Sequence, residues 1–204
     1  MKKFVTAIPL QMNRELSSAV YQAVGNKKLQ YDKEIAFPII AVMNAYIAEG
    51  ETAEILAIKQ EDQRTDRNYE IFKEQVKEFM KEKNCQCKIT VLSVPYEELV
   101  DTHLYTFEKL IENIEDGDEL YACMTYGSKP VPIVEMLALN YAYRVLAHTS
   151  VGCVVYGQYN HETGDMKIYD VSSLFFMDEI VKRISDLKPS DPLGYIKTVL
   201  DIES

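Results

Sequence analysis

The chain has 204 residues, which suits one large domain or one domain with a small appendage. Its formal net charge is −10, and no segment supplies the basic face of a DNA or RNA binder, although a small anionic ligand is still compatible. No run approaches the roughly 20 apolar residues of a membrane span, and the chain start does not resemble a signal peptide, so we expect a cytoplasmic protein.

The four cysteines predict reduced thiols rather than a metal centre. Cys123 and Cys153 each lie inside an apolar run, which is typical of a buried thiol. Cys85 and Cys87 are separated by one residue and have no histidine pair nearby. We therefore expect no metal site and no cofactor.

Apolar periodicity divides the first half of the chain into alternating strands and helices. The predicted strands cover 3–10 and 53–58. The predicted helices cover 14–24, 38–48 and 69–83. A long apolar run makes 38–48 ambiguous, and Gly50 in the C-cap position favours a buried helix there.

The second half continues the alternation. The predicted strands cover 87–94, 120–124, 151–156 and 166–171. The predicted helices cover 102–114, 130–147, 175–184 and 192–202. The last two strands flank a short turn, so we expect them to form an antiparallel hairpin at the edge of the sheet.

Strands that alternate with helices of about 11 to 18 residues predict right-handed crossovers and a mainly parallel sheet. The predicted fold is therefore an α/β, Rossmann-like three-layer sandwich with a mainly parallel sheet and an antiparallel edge hairpin. Ligands of such folds bind beyond the carboxyl ends of the strands, near the switch in strand order.

The turn 125–130 after the fourth strand is the most informative loop at that edge. Thr125 and Ser128 offer hydroxyls, Lys129 offers a mobile positive charge, and Gly127 allows a tight turn or a close approach of the backbone. The N-terminus of the following helix favours an anion. We predict that the turn binds a phosphate-bearing, nucleotide-like molecule; the alternative is a well-capped turn without a ligand.

Three other loops lie at the same predicted edge. After the first strand come side chains that can meet a phosphate, a ribose or a base: Gln11, Met12, Asn13 and Arg14. In a simpler interpretation, Asn13 only caps a helix. After the second strand we expect a solvated loop that carries Lys59, Gln60, Arg64 and Arg67. The fifth strand ends with Tyr156 and Gly157, where a plain hairpin is the simpler interpretation.

Conventional catalytic groups are hard to assemble from this sequence. No nucleophile or metal motif is present, and we expect three histidines to be structural or solvated: His103, His148 and His161. Any catalysis would have to use Thr125, Ser128 and Lys129.

Three segments occur in a characteristic order: 124–130 (MTYGSKP) before a long apolar helix, 154–157 (VVYG), and 167–175 (KIYDVSSLF) leading into another helix. They resemble the CARF family, the CRISPR-associated Rossmann-fold sensors of type III immune systems. The segments 37–40 (FPII) and 44–46 (NAY) also look like this family. The resemblance covers residues 3 to 187, and its C-terminal half is the more specific.

The resemblance implies a homodimer that binds a cyclic oligoadenylate across its two-fold axis and switches an effector. Cyclic tetra-adenylate is the first expectation and cyclic hexa-adenylate the second. Carried over by position, the ligand contacts are Gln11, Met12, Asn13, Thr125, Tyr126, Gly127, Ser128, Lys129, Tyr156 and Gly157. The resemblance further implies a sensing domain over 1–187 and a helical extension over 188–204.

Two alternatives belong to other functional classes. Some members of the family cleave the ring without a metal, by attack of a ribose 2′-hydroxyl on its own phosphodiester; here Thr125, Ser128 and Lys129 would align that attack. A dinucleotide-cofactor protein is disfavoured, because no G-x-G-x-x-G follows the first strand.

Two departures from the family pattern stand out. Many relatives carry an acidic residue at the position of Cys123. Most also continue into an effector domain, whereas this sequence has only 188–204 beyond the sensing domain. It is therefore either a stand-alone protein or part of a longer one that carries a fused effector.

Overall fold

Strands and helices alternate along the computed structural model, which describes residues 1–11, 16–160 and 162–201. The strands are β1 (Lys2–Ala7), β2 (Gln22–Val24), β3 (Thr52–Gln60), β4 (Gln86–Val94), β5 (Glu119–Cys123), β6 (Ser150–Tyr159) and β7 (Met166–Asp170). The α-helices are α1 (Ile39–Tyr46), α2 (Gln63–Lys83), α3 (Val100–Ile111), α4 (Val131–Val145), α5 (Ser172–Leu187) and α6 (Pro192–Asp201). A short 3-10 helix, Lys27–Leu29, follows β2.

The described strands form one sheet in the order β2-β7-β6-β5-β1-β3-β4. Strand β1 lies in the middle and pairs in parallel with both β3 and β5. Only β6 and β7 pair antiparallel, and β2 joins β7 in parallel. The fold class is thus confirmed as α/β with a mainly parallel sheet, consistent with a Rossmann-like sandwich.

Helices cover both faces of the sheet. After β1 the chain first forms β2 at one edge; it then adds β3 and β4 on one side of β1, and β5 and β6 on the other side. Because right-handed crossovers in opposite directions place their helices on opposite faces, α1 and α2 lie on one face and α3 and α4 on the other. The pairs α1–α2 and α3–α4 pack together accordingly. Between α1 and the sheet lies a core that includes Phe4, Phe37, Ile40, Ile55 and Phe72.

The predicted helix over 14–24 is wrong in the part that the structure describes. Residues 22–24 form β2, and Ala19 makes an isolated antiparallel bridge with Ile35. Spacing of apolar residues over so short a segment fits a helix or a strand, and pairing with β7 decides between them. Because β2 lies outside β7, the β6–β7 hairpin is one strand in from the edge and not at the edge as predicted.

Helix α2 begins earlier than predicted and includes much of the expected solvated loop. Asp62 caps it, since its side chain accepts a hydrogen bond from the Arg64 N–H at 2.8 Å. Asn84 ends it in the left-handed conformation at φ 51°. The longer helix brings residues 63–68 into contact with the carboxyl edge of the sheet.

The chain divides into two compact units, Met1–Asp170 and Val171–Ser204. The first unit contains the whole sheet, and the second contains α5 and α6. The predicted domain boundary, between residues 187 and 188, coincides with the end of α5 and stays a prediction. Among the described helices, none combines the length and apolarity that crossing a membrane requires.

A candidate anion-binding site at the carboxyl edge

The strand order changes direction between β1 and β5. After β1 the chain forms β2 at the far edge and returns through α1 to β3 on one side of β1, and from β5 it continues through α4 to β6 on the other side. The helices that follow, α1 and α4, lie on opposite faces, and the carboxyl edge at such a switch point is the usual ligand position in open α/β sheets. The loops after β1 and β5 carry most of the predicted ligand contacts.

The turn after β5 presents free backbone donors. The N–H groups of Tyr126, Gly127 and Lys129 have no acceptor within the described part of the chain, whereas the Thr125 N–H donates to the Cys123 sulfur. The N-terminus of α4 itself offers few donors, because the Val131 N–H is bonded to the Ser128 carbonyl at 3.0 Å and prolines occupy positions 130 and 132. The turn, supported by the helix dipole, is thus the main source of donors for an anion.

Gly127 allows the turn to lie directly against the end of β1. Its φ is 93°, a conformation that side chains with a Cβ rarely adopt. A Cβ at this position would lie 3.0 Å from the Val131 Cβ and 3.1 Å from the Ala7 Cβ. Both the backbone conformation and the space therefore require glycine.

Thr125 connects the end of β5 to β6. Its Oγ1 accepts a hydrogen bond from the Gly157 N–H at 2.8 Å and lies 3.1 Å from the Cys123 Sγ. Gly157 permits this approach, since a Cβ there would lie 2.6 Å from the Pro38 Cγ. The structure thus brings two predicted contact residues, Thr125 and Gly157, together, and the threonine hydroxyl already has protein partners.

Ser128 is also bonded within the protein. Its N–H donates to the Gln60 Oε1 at 3.1 Å, and its Oγ accepts from the Gln60 Nε2 at 3.2 Å. Hydrogen bonds from Ser128 and His103 hold the pKa of the Glu98 carboxyl below its usual range. A phosphate at Ser128 would lie beside that carboxylate, so the free N–H groups and Lys129 are the better anion donors.

Tyr126 anchors the turn to the core. Its hydroxyl donates to the Ala36 carbonyl at 2.6 Å, and its ring packs edge-on against Phe37 with the centroids 6.1 Å apart. Burial raises the pKa of the Tyr126 hydroxyl well above its ordinary value, and the Tyr21 hydroxyl, which is hydrogen-bonded to it, adds a smaller contribution. The ring position is therefore fixed before any ligand arrives.

Lys129 and Tyr156 are the more accessible predicted residues. Lys129 is exposed, and its side chain forms no hydrogen bond or ion pair with the residues that the structure describes. Tyr156 on β6 is 45% exposed and, again within those residues, makes no hydrogen bond or ring contact with the turn. Lys129 is thus a cation available to a ligand at this edge.

The loop after β1 is held by a residue that the sequence reasoning missed. The Nδ2 of Asn68 on α2 donates to the carbonyls of Pro9 at 2.7 Å and Gln11 at 3.1 Å. Asn68 is a polar residue on the apolar stripe of a helix, and that pattern is the signal that would have found it. Gln11 is exposed, whereas the predicted contacts Met12 and Asn13 lie outside the described residues.

The expectation of a solvated Gln60 is wrong. Its side chain is 4% exposed, because it lies at the last position of β3 and turns toward Ser128. This contact joins residues that are far apart in the chain, so the local polarity of the segment gave no sign of it.

Behind the turn lies a buried acid. Glu135 on α4 is 1% exposed, and neither carboxylate oxygen has a hydrogen-bond partner among the described residues. Burial raises its pKa well above the ordinary value. Burial also raises the pKa of the Cys123 thiol to about 12, with a smaller contribution from Glu135. Burial thus favours the protonated form of this carboxyl, which lies near the Cys123 thiol.

Within the described residues, no three His, Cys, Asp or Glu side chains converge as metal ligands. Comparisons with protein-family models and with curated proteins give no match to the chain. The geometry of this edge is consequently the basis for a functional proposal.

Proposed function

We propose that the chain is the ligand-binding part of a cytoplasmic, homodimeric sensor that binds a cyclic oligoadenylate in type III CRISPR antiviral defence and switches an effector. Cyclic tetra-adenylate is the preferred ligand and cyclic hexa-adenylate the next. The observation that carries the proposal is the turn 125–130, where three backbone N–H groups and the exposed Lys129, none of them with a partner among the described residues, lie at the switch in strand order.

Neutral N–H donors with a single cation suit a phosphodiester. Each phosphodiester carries one negative charge and several acceptor oxygens, so one turn has donors enough for one group without a strongly basic surface. A net charge of −10 disfavours a long polyanion, which would extend over the acidic exterior. A compact ring of phosphodiesters confines its contacts to this edge.

An apolar face next to the turn supports the dimer. Helices α3 and α4 border a groove of about 430 Å³ that is lined by apolar side chains, among them Leu104, Phe107, Leu137 and Val145. Leu137 is 53% exposed and Val145 is 63% exposed. Helix α4 starts directly after the turn, so a second copy on this face about a two-fold axis would place two turns at one ligand.

Binding without cleavage is favoured because the hydroxyls that cleavage would use are already bonded. Thr125 accepts from Gly157, and Ser128 is bonded to Gln60. Lys129 is exposed and has no partner among the described residues, so its side chain can contact a phosphate. In the ring-nuclease alternative, Thr125 and Ser128 would have to exchange these partners for the ligand.

The proposal is tested by incubating the purified protein with cyclic tetra-adenylate and cyclic hexa-adenylate without metal. Calorimetry measures affinity and stoichiometry, and chromatography detects linear products. We expect one ring per two chains, no linear product, and much weaker binding of linear tetra-adenylate as the control. Failure to bind either ring contradicts the proposal, and linear products that end in a cyclic phosphate would establish the ring nuclease instead.

A further inference from the structure

Gln60 bonds to the turn through both ends of its amide. The Oε1 accepts from the Ser128 N–H at 3.1 Å, while the Nε2 donates to the Ser128 Oγ at 3.2 Å. A carboxamide is the neutral side-chain group that carries a donor and an acceptor side by side, so it matches a backbone N–H and a hydroxyl together. At 4% exposure, Gln60 has little access to water as a substitute.

Asn68 makes a comparable contact with the loop after β1, on the other side of the switch point. Its Nδ2 donates to the carbonyls of Pro9 and Gln11, and the residue is 3% exposed. The loop leaves the sheet after the Ile8 N–H, which donates to the Ile58 carbonyl at 2.9 Å. Beyond Ile8, the side-chain hydrogen bonds to the loop backbone that the structure describes come from Asn68.

Both amides belong to one rigid unit. Gln60 is the last residue of β3, and Asn68 lies in the second turn of α2. Thr65, which is fully buried, ties the start of α2 to the end of β3, because its hydroxyl lies 2.5 Å from the Gln60 carbonyl and 2.6 Å from the Asp62 carbonyl. The β3–α2 connection therefore contacts both ligand loops through buried polar side chains.

We infer that Gln60 and Asn68 are positioning residues that hold the loop after β1 and the turn after β5 at a fixed separation across the switch point. The geometry of the ligand site is then set by the β3–α2 unit and not by either loop alone. This inference rests on the proposed function for its ligand, but the loop positions themselves can be measured without one.

The variants that test it are Gln60→Met and Asn68→Leu, which keep the side-chain volume and remove the hydrogen bonds. We expect each to weaken binding of cyclic tetra-adenylate about tenfold to a hundredfold, since a displacement of about 1 Å costs this much at a positioned site. The control is Gln63→Ala, an exposed glutamine at the start of α2, which should bind within twofold of wild type.

Hydrogen exchange separates positioning from general stability. In Gln60→Met the Ser128 amide, which loses its acceptor, should exchange faster, and in Asn68→Leu the Ile8 amide at the start of the loop should do so, while the strands keep wild-type protection. A Gln60→Met, Ser128→Ala double variant should bind no more weakly than Gln60→Met alone, because both changes break the same contact.

Variants with wild-type loop exchange, or with exchange raised uniformly across the first unit, would overturn the inference. If the wild-type protein binds no ring, the proposed function fails, yet the exchange data still decide whether these two amides position the loops. If Asn68→Leu does not fold, the binding and hydrogen exchange of Gln60→Met alone test the inference.

Discussion

At the residue scale, Gly127 and Lys129 have different roles within one turn. Gly127 is required by the backbone, with its φ of 93° and the Val131 and Ala7 side chains close to its Cα. Lys129 has no partner in the described part of the chain, so the fold does not depend on it. Substitutions at these two positions should therefore separate effects on stability from effects on binding.

Gly127→Ala should destabilise the protein more than Gly117→Ala. Both glycines have positive φ, of 93° and 81°, and so share the backbone penalty of about 1 kcal/mol. Only at Gly127 would the new Cβ meet neighbours at 3.0 Å, whereas at Gly117 nothing lies within 4 Å. We expect an additional loss of about 1–3 kcal/mol in urea unfolding. Equal losses would show that the turn can move away from β1.

Lys129→Ala should weaken ring binding and leave the fold intact. A charge-assisted hydrogen bond contributes about 1.5–3 kcal/mol, which corresponds to a roughly tenfold to hundredfold loss of affinity. The free energy of unfolding should change by no more than about 0.5 kcal/mol. Calorimetry and urea unfolding measure the two, with Lys77→Ala on α2 as the exposed-lysine control. A large stability loss with unchanged affinity would make Lys129 a structural residue.

At the element scale, α4 combines a proline-rich N-terminus, an exposed apolar face and a buried acid. The exposed face continues from the turn along the groove with α3. The buried face carries Glu135 among apolar residues such as Val131, Ala138 and Leu139. A polar group buried without a partner is destabilising, so Glu135 should be visible in the pH dependence of stability.

Glu135→Gln should remove a pH-dependent loss of stability. The pKa of Glu135 is raised in the folded state, so above the unfolded value of 4.5 the folded chain holds a proton that the unfolded chain has lost. Folding stability of the wild type therefore falls as pH rises above 4.5, by up to about 1.4 kcal/mol per pH unit until the folded pKa is reached. The glutamine variant lacks this contribution.

Urea unfolding of the two proteins across neutral and mildly acidic pH measures that difference, which should grow with pH. Glu74→Gln on the exposed side of α2 is the control and should follow the wild-type profile. Parallel profiles for wild type and Glu135→Gln would mean that the acid is not neutral in the folded protein.

At the scale of the whole molecule, the site is half of a two-fold arrangement in our proposal. One turn offers donors for one phosphodiester, and a ring presents several. The apolar groove between α3 and α4 is the surface through which a second copy would complete the site, so oligomeric state and ligand affinity should change together.

Leu137→Asp should convert the dimer to a monomer and weaken ring binding in parallel. A charge buried without a partner at an interface costs about 3 kcal/mol or more, which is at least a hundredfold in dimer affinity. Light scattering after size exclusion measures the mass. The control is Val20→Asp, at an exposed apolar residue away from the groove. A wild-type monomer, or a Leu137→Asp dimer, would place the interface elsewhere.

The sequence by itself determined most strands and helices, the fold class and the edge where the candidate site lies. Periodicity, the end of α2 at Asn84, and the handedness of crossovers are local or general properties, so they can be inferred without coordinates. The turn 125–130 was found in the same way, since its glycine, lysine and prolines occur within a few residues of one another.

Only the tertiary structure decided what depends on residues far apart in the chain. The β2 segment became a strand by pairing with β7, about 145 residues later in the chain. Gln60 meets Ser128, and Asn68 meets Pro9, through contacts that no local pattern encodes. Those contacts show that the threonine and serine hydroxyls already have protein partners, which leaves the backbone N–H groups and Lys129 as the donors for an anion.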